Sequence, residues 1–189
     1  MSIVTVITPS IGRTTLKEAL ESLQNQSNPK WLSLVGFDGV NPPQPVQDNR
    51  ITYVYLTKAG GGSNHGGGVR NKLIPLVVTD WLCFLDDDDS FRPHYVDALA
   101  AELTANPDAD CIIFRMSYDD KDSKVLPPAH LKNVQVCLVG ISCAVRKEFL
   151  VKNGIEFKNG PLEDFHFLKE IEDKKGKIVF SKEITYNVR

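Results

Sequence analysis

No stretch of this chain approaches the ~20 consecutive apolar residues that span a bilayer. The apolar start at 3–7 is too short, and lacks the basic flank, for a secretory signal. Nor is there charge of one sign: 22 Lys and Arg stand against 24 Asp and Glu, a net charge of -2. So weak a field offers no broad basic face to nucleic acid or to an anionic membrane. Cysteine is sparse and unpaired. Cys83, Cys111, Cys137 and Cys143 form no C-x-x-C, and each sits in an apolar stretch. They read as buried free thiols in a reducing, cytoplasmic setting. No internal repeat or low-complexity linker interrupts the 189 residues, which suit one domain with a sizeable core.

What is present is alternation. Apolar, β-branched runs at 3–7, 31–37, 51–56 and 81–85 read as strands, the first stopped by Pro9. Between the first two, Leu16, Ala19, Leu20 and Leu23 recur at helical spacing after Thr14 or Thr15 as a cap. A helix is expected at 69–78, kinked or shortened by Pro75, and another at 93–103. Strand and helix alternating over the first 105 residues argue for an α/β, mostly parallel sheet. The second half is more mixed. A strand is expected at 111–116, one or two strands at 133–145 around Gly140, and short helices at 146–152 and 165–172. Two strands at 178–180 and 184–186 complete the pattern.

Ligands of such sheets sit beyond the carboxyl ends of the strands. Three polar clusters fall there: 8–13, Asp38-Gly39, and the run Asp86-Asp87-Asp88-Asp89 after the fourth strand. Four adjacent carboxylates repel one another unless a cation or water relieves them. Mg²⁺ and Mn²⁺ favour carboxylate oxygen and commonly bind through one or two carboxylates plus substrate phosphates. Three rival readings fail. An EF-hand loop starting at Asp86 would need Gly at its sixth place and Glu at its twelfth, and these hold Phe91 and Asp97. No G-x-x-x-x-G-K-[ST] exists to make the run a Walker B partner. The loop 60–68 has six glycines around Ser63-Asn64-His65, but lacks the dinucleotide fingerprint and its βαβ spacing.

Five motifs in order resemble GT-A glycosyltransferases of family two. They are Val4-Thr5-Val6-Ile7-Thr8-Pro9-Ser10 with Arg13, then Gly36-Phe37-Asp38-Gly39, then Gly68-Val69-Arg70-Asn71-Lys72. Phe84-Leu85-Asp86-Asp87-Asp88-Asp89 with Pro93 resembles the family's D-x-D region, and Gly160-Pro161-Leu162-Glu163-Asp164-Phe165 its late E-D motif. The tail 182–189 resembles the strand that follows. The resemblance implies a GT-A fold: a central, mostly parallel sheet flanked by helices. Its halves would be nucleotide-binding (1–105) and acceptor-binding (106–189), in a complete minimal enzyme or one domain of a longer protein.

It also implies roles. Thr8, Pro9 and Ser10 line base and ribose, and Asp38 accepts a hydrogen bond from uracil or ribose. Arg70 reaches the base or diphosphate, and Arg13 acts similarly. Asp88, five residues before Pro93, is the first choice for the metal ligand. Asp86 touches ribose or metal, and Asp87 points to the nucleotide. Four consecutive acids leave this register open by one. Asp164 is the candidate general base of an inverting displacement; Glu163 is the substitute, with Asp164 then orienting. The implied cofactor is a divalent metal, Mn²⁺ or Mg²⁺. The implied partners are a nucleotide-sugar donor, most simply a UDP-sugar, and a glycan or glycoconjugate acceptor. Location is expected in the cytoplasm, including that of a virus-infected cell, free or peripheral to a membrane. Two departures stand out. Phe165-His166-Phe167-Leu168 replaces the acid and leucine that usually follow E-D, which makes His166 a donor or acceptor contact to test. His65 in the glycine loop is another. Two alternatives remain: a non-catalytic nucleotide-sugar or glycan-binding module, and a sugar nucleotidyltransferase. The latter lacks its Gly-rich, Arg- and Lys-bearing loop after the first strand.

Overall fold

The computed structural model describes residues 1–58, 66–118, 121–158 and 160–189. Its first half runs β1 (Val4–Ser10), α1 (Leu16–Gln24), β2 (Trp31–Asp38), β3 (Ile51–Leu56) and α2 (Gly67–Leu73). A 3-10 turn (Ile74–Leu76) and β4 (Trp81–Phe84) follow. The second half holds β5 (Ser90–Phe91), α3 (Tyr95–Ala105), β6 (Cys111–Ser117), β7 (Val125–Leu126), β8 (Cys143–Arg146), α4 (Lys147–Asn153), α5 (Glu163–Asp173) and β9 (Ile178–Asn187). One sheet joins them in the order β3-β2-β1-β4-β8-β6-β9-β5, with β7 paired to β6.

Direction follows from the pairings. β1 to β4 are mutually parallel, β8 opposes both β4 and β6, and β6 runs parallel to β9. The carboxyl ends of β1, β2, β4, β6 and β9 therefore share one edge of the sheet. β1 and β4 are buried at every residue, as central strands covered on both faces should be. Leu16, Ala19, Leu20 and Leu23 of α1 are all buried, as their spacing predicts. The helix begins after Thr15, but no side-chain bond caps it.

Several expectations need correction. Pro9 does not stop the first strand, which continues to Ser10. Ile7 accepts a bond from the Leu85 N–H, so Ile7 and, two residues on, Pro9 turn their backbone polar groups toward β4. Pairing with β4 ends at Ile7, so the missing proline N–H breaks no ladder bond. Of 133–145, only Cys143–Arg146 forms a strand, and it extends one residue past the expected end. The two closing strands are one, with a bulge in its register against β6 between Ile113 and Arg115. Cys83, Cys111 and Cys143 are buried free thiols, but Cys137 is exposed, at φ 62°.

Beside β3, Asp48 accepts from the Arg50 backbone N–H (2.9 Å), Nε (2.9 Å) and Nη2 (2.7 Å). The Arg50 guanidinium lies 3.8 Å above the Trp31 ring. Hydrogen bonding from Arg50 holds the Asp48 carboxyl well below the usual carboxylate range. A depressed folded pKa stabilises above the unfolded value near 3.8 and is lost as pH falls below it. Asp48→Asn is expected to cost about 1–2 kcal/mol at pH 7, the worth of charged hydrogen bonds. Urea unfolding at pH 7 and pH 3 should find that gap narrowing at the lower pH; an equal gap at both would locate the effect outside the ion pair.

Candidate active site

A cavity of about 650 Å³ opens at the shared carboxyl edge. That volume is in the range of small-molecule sites. Pro9, Ser10 and Arg13 reach it from the end of β1, and Asp38 from the end of β2. Arg70 projects from α2, Asp86, Asp87 and Asp88 follow β4, and Glu163 and Asp164 occupy the first turn of α5.

The four consecutive acids have four different surroundings. Asp86 pairs with Arg70 Nη2. Asp87 is 5% exposed, accepts the Ser10 hydroxyl at 2.6 Å and meets Arg13 Nη1 at 3.1 Å. Burial pushes its carboxyl above the ordinary value, against the pull of Ser10 and Arg13. Asp88 is the most open, with 46% of its side chain exposed, and meets the same Arg13 Nη1 at 2.5 Å. Asp89 faces away from the cavity. It accepts from the buried Tyr186 hydroxyl (2.8 Å) and the Arg189 N–H (3.0 Å), and burial raises it to about 6. A turn bond from Asp89 N–H to the Asp86 carbonyl, 3.2 Å, separates these directions.

Arg70 is the hub. Its side chain is 3% exposed, over the rings of Phe157 (5.1 Å) and Phe84 (5.9 Å). It pairs with Asp86, donates from Nη1 to Glu163 at 2.6 Å, and lies 3.8 Å from Asp164 Oδ1. Burial opposes its charge, but Asp86, Asp164 and Glu163 outweigh burial and raise its pKa. The next residue explains the alignment. Asn71 donates to the Phe157 carbonyl (2.8 Å) and accepts the Phe157 N–H (2.9 Å), tying α2 to the segment entering α5. Phe157 stacks on Phe167 of α5 at 4.0 Å, and both meet Phe84 edge-on. At Gly67 the fit is tight: its N–H donates to Glu163 Oε2 at 3.3 Å, and a Cβ there would stand 2.7 Å from that oxygen.

The structure thus gathers Pro9, Ser10, Arg13, Asp38, Arg70, Asp86, Asp87, Asp88, Glu163 and Asp164 around one cavity. It does not bring Thr8 or His166 there. Thr8 is fully buried beneath the cavity edge, and His166, in the first turn of α5, is exposed and turned off the cavity. His65 lies outside the described residues. Lys58 lines the cavity and sequence reasoning missed it, although it stands two residues past the end of β3, at the same sheet edge. Leu162, at φ 61°, also lines it and turns the chain into α5. Among the described residues no three His, Cys, Asp or Glu side chains converge to hold a metal ion by themselves. No described helix is long and apolar enough to cross a membrane.

A mixed sheet, parallel from β1 to β4, with an acid-lined crevice at its carboxyl edge and a helix from the second half closing it, is the GT-A glycosyltransferase architecture. Solved structures share it. S. aureus TarS 1-349 superposes with a TM-score of 0.78 at 18% identity, over 98% of this chain and 60% of that one. Its complex with UDP-GlcNAc gives 0.78 at 17%, over 100% and 58%. The mannosyltransferase PcManGT from Pyrobaculum calidifontis, in complex with GDP-Man and Mn²⁺, gives 0.71 at 15%, over 98% and 56%. The chain therefore spans 60% of the length of the first of these proteins. No curated protein sequence matches it. The particular family is set by sequence: residues 5–157 match the family described as Glycosyl transferase family 2, and the chain belongs to that family.

Proposed function

We propose that this chain moves a sugar from a UDP-sugar to a hydroxyl of a glycan or glycoconjugate, by a metal-dependent, inverting displacement. The observation that carries the reading is the meeting of Asp38, the Asp86–Asp88 turn and the Glu163–Asp164 pair on one cavity. Residues 1–105 supply the nucleotide side. Residues 106–189 supply the acceptor side, reaching the nucleotide side through the first turn of α5. Asp38 accepts from the base or ribose, with Pro9 and Ser10 beside it. The relatives in solved complexes carry UDP-GlcNAc in one case and GDP-Man with Mn²⁺ in another. UDP is the simpler assignment for this chain.

Charge supports the metal. Among the described residues, six carboxylates and three cations (Arg13, Lys58 and Arg70) line the cavity, a formal excess of three negative charges. A diphosphate entering that field needs an added cation. The donor set fits: Asp88 and Asp86 offer hard oxygens with 46% and 33% of their side chains exposed, and phosphates complete such sites. Of the two, Asp88 is the freer, because Asp86 is fixed to the buried Arg70. The bound ion would neutralise charge on the leaving diphosphate. The acceptor hydroxyl attacks the anomeric carbon on the face opposite the diphosphate. Asp164 takes the hydroxyl proton as the new C–O bond forms, the bond from carbon to phosphate oxygen breaks, and UDP leaves. Glu163, held by Gly67, fixes the Arg70 guanidinium that lies 3.8 Å from Asp164.

The test is calorimetric titration of UDP, GDP and dTDP with Mn²⁺ and then with EDTA. Tight binding of UDP that EDTA abolishes is expected. Preference for GDP or dTDP would change the donor. Binding of no nucleotide to folded protein with Mn²⁺ would overturn the reading.

A further inference from the structure

Arg13 and a divalent ion would address the same carboxylate. Arg13 Nη1 stands 2.5 Å from Asp88 Oδ2 and 3.1 Å from Asp87 Oδ1, so one nitrogen bridges the two acids. An ion bound at Asp88 would sit within a few ångströms of that guanidinium, and two cations so close repel strongly in a partly dry cleft. One of the two must yield.

The surroundings decide which. Among the described residues, the charged groups lining the cavity are Asp38, Asp86, Asp87, Asp88, Glu163 and Asp164, with Arg13, Lys58 and Arg70. Arg70 is buried and fixed by Asp86 and Glu163, so it cannot turn. Arg13 is 38% exposed, and both its ion pairs run through Nη1. Its backbone, by contrast, is anchored: Gly12 at φ 84° donates its N–H to Ser10 Oγ at 3.0 Å. A fixed root with a long, half-exposed side chain permits rotamer exchange without refolding the loop. Asp87 keeps its Ser10 bond when Arg13 leaves, so it is not stranded.

We infer that Arg13 is the exchangeable cation of this site: it holds Asp88 until a divalent ion takes that carboxylate, then turns its guanidinium to the donor's diphosphate. The inference rests on the metal-dependent reading above. It has a thermodynamic consequence. Metal alone must displace Arg13 with nothing to receive it, whereas metal with a nucleotide gives Arg13 a new anionic partner. Mn²⁺ and UDP should therefore bind with positive coupling, each tightening the other equally.

The experiment measures Mn²⁺ affinity by electron paramagnetic resonance without nucleotide, and UDP affinity by calorimetry at saturating Mn²⁺, in wild type, Arg13→Gln and Arg13→Lys. Thermal midpoints serve as the folding control. In Arg13→Gln, Mn²⁺ alone is expected to bind about two- to fivefold tighter, because a half-exposed ion pair competes only modestly. UDP should bind about tenfold weaker, from the loss of a charge-assisted phosphate bond. Arg13→Lys, which keeps charge but not the planar fork, should fall between. Opposite signs in one variant are not produced by a loosened fold. Unchanged or weaker Mn²⁺ binding in Arg13→Gln would overturn the exchange, as would unchanged UDP affinity. Wild type that binds Mn²⁺ and UDP without coupling would also overturn it while sparing the proposed function. Wild type that binds neither would remove both.

Discussion

Asp164→Asn is expected to leave Mn²⁺-dependent UDP affinity within about threefold of wild type and to lower sugar transfer by roughly 10²–10⁴-fold, the usual contribution of a positioned general base. The loss should appear equally in kcat and kcat/KM, since only a transition-state interaction is removed. Asparagine keeps the shape of the side chain, and Asp164 is 31% exposed, so the fold should survive. Glu163 is the informative contrast. It is 8% exposed, meets Arg70 Nη1 at 2.6 Å and Gly67 N–H at 3.3 Å, and has little freedom to face an acceptor. Glu163→Gln should therefore lower the unfolding midpoint as well as turnover, because Arg70 loses a buried counter-charge. The measurement is steady-state transfer to a supplied glycan acceptor, with UDP calorimetry and thermal unfolding on both variants. Full activity in Asp164→Asn, with loss in a stably folded Glu163→Gln, would move the base to Glu163.

How much of this was legible in the sequence depends on what fixes each element. β1 and β4 were legible because central parallel strands are buried on both faces and read as unbroken apolar runs. β4 is the plainest case, and its end announced the acidic turn. α1 was legible because its four buried residues carry the helical period. The stretch 133–142 misled for the opposite reason. Val134, Val136, Val139 and Ile141 invite a strand, yet a strand needs an edge to pair with. β6 is already flanked by β8 and β9, and β7 takes its far end. Val134 and Ile141 are buried without a ladder, while Val136 is 49% exposed. β5 is two residues long and exists because β9 arrives from nearly a hundred residues away, which no local window contains.

The candidate site divides along the same line. Its chemistry was legible as residue types at strand ends. The partners were not, because they depend on turn geometry and long-range pairs. Nothing in four identical aspartates distinguishes Asp89, turned in to Tyr186, from Asp88, turned out to the cavity. Nor does the sequence near Arg70 announce that its counter-charge lies 93 residues on, at Glu163. That pairing follows from Asn71 and Phe157 bringing α2 and α5 together, a tertiary fact.

The separation of Asp88 from Asp89 gives the second large effect its control. Asp88→Ala should weaken UDP binding in Mn²⁺ by at least about 10- to 100-fold, to the level of wild type in EDTA, since a direct metal ligand is worth no less than the outer partners that orient one. Its stability should change little, because the side chain is 46% exposed and its one ion pair is half in water. Asp89→Ala should do the reverse. It removes the acceptor of the buried Tyr186 O–H, which keeps only the bond it accepts from the Asp86 N–H, and that of the Arg189 N–H, and should lower the unfolding midpoint by several degrees while sparing much of the Mn²⁺ dependence. Paired calorimetry and thermal melts on the two variants read both quantities at once. Retained Mn²⁺-dependent binding in Asp88→Ala would shift the ligand to Asp86, and Asp86→Asn would then show the loss. Retention in both would end the metal model for this turn, because Asp87 is 5% exposed with one oxygen held by Ser10, and Asp89 is turned away to Tyr186.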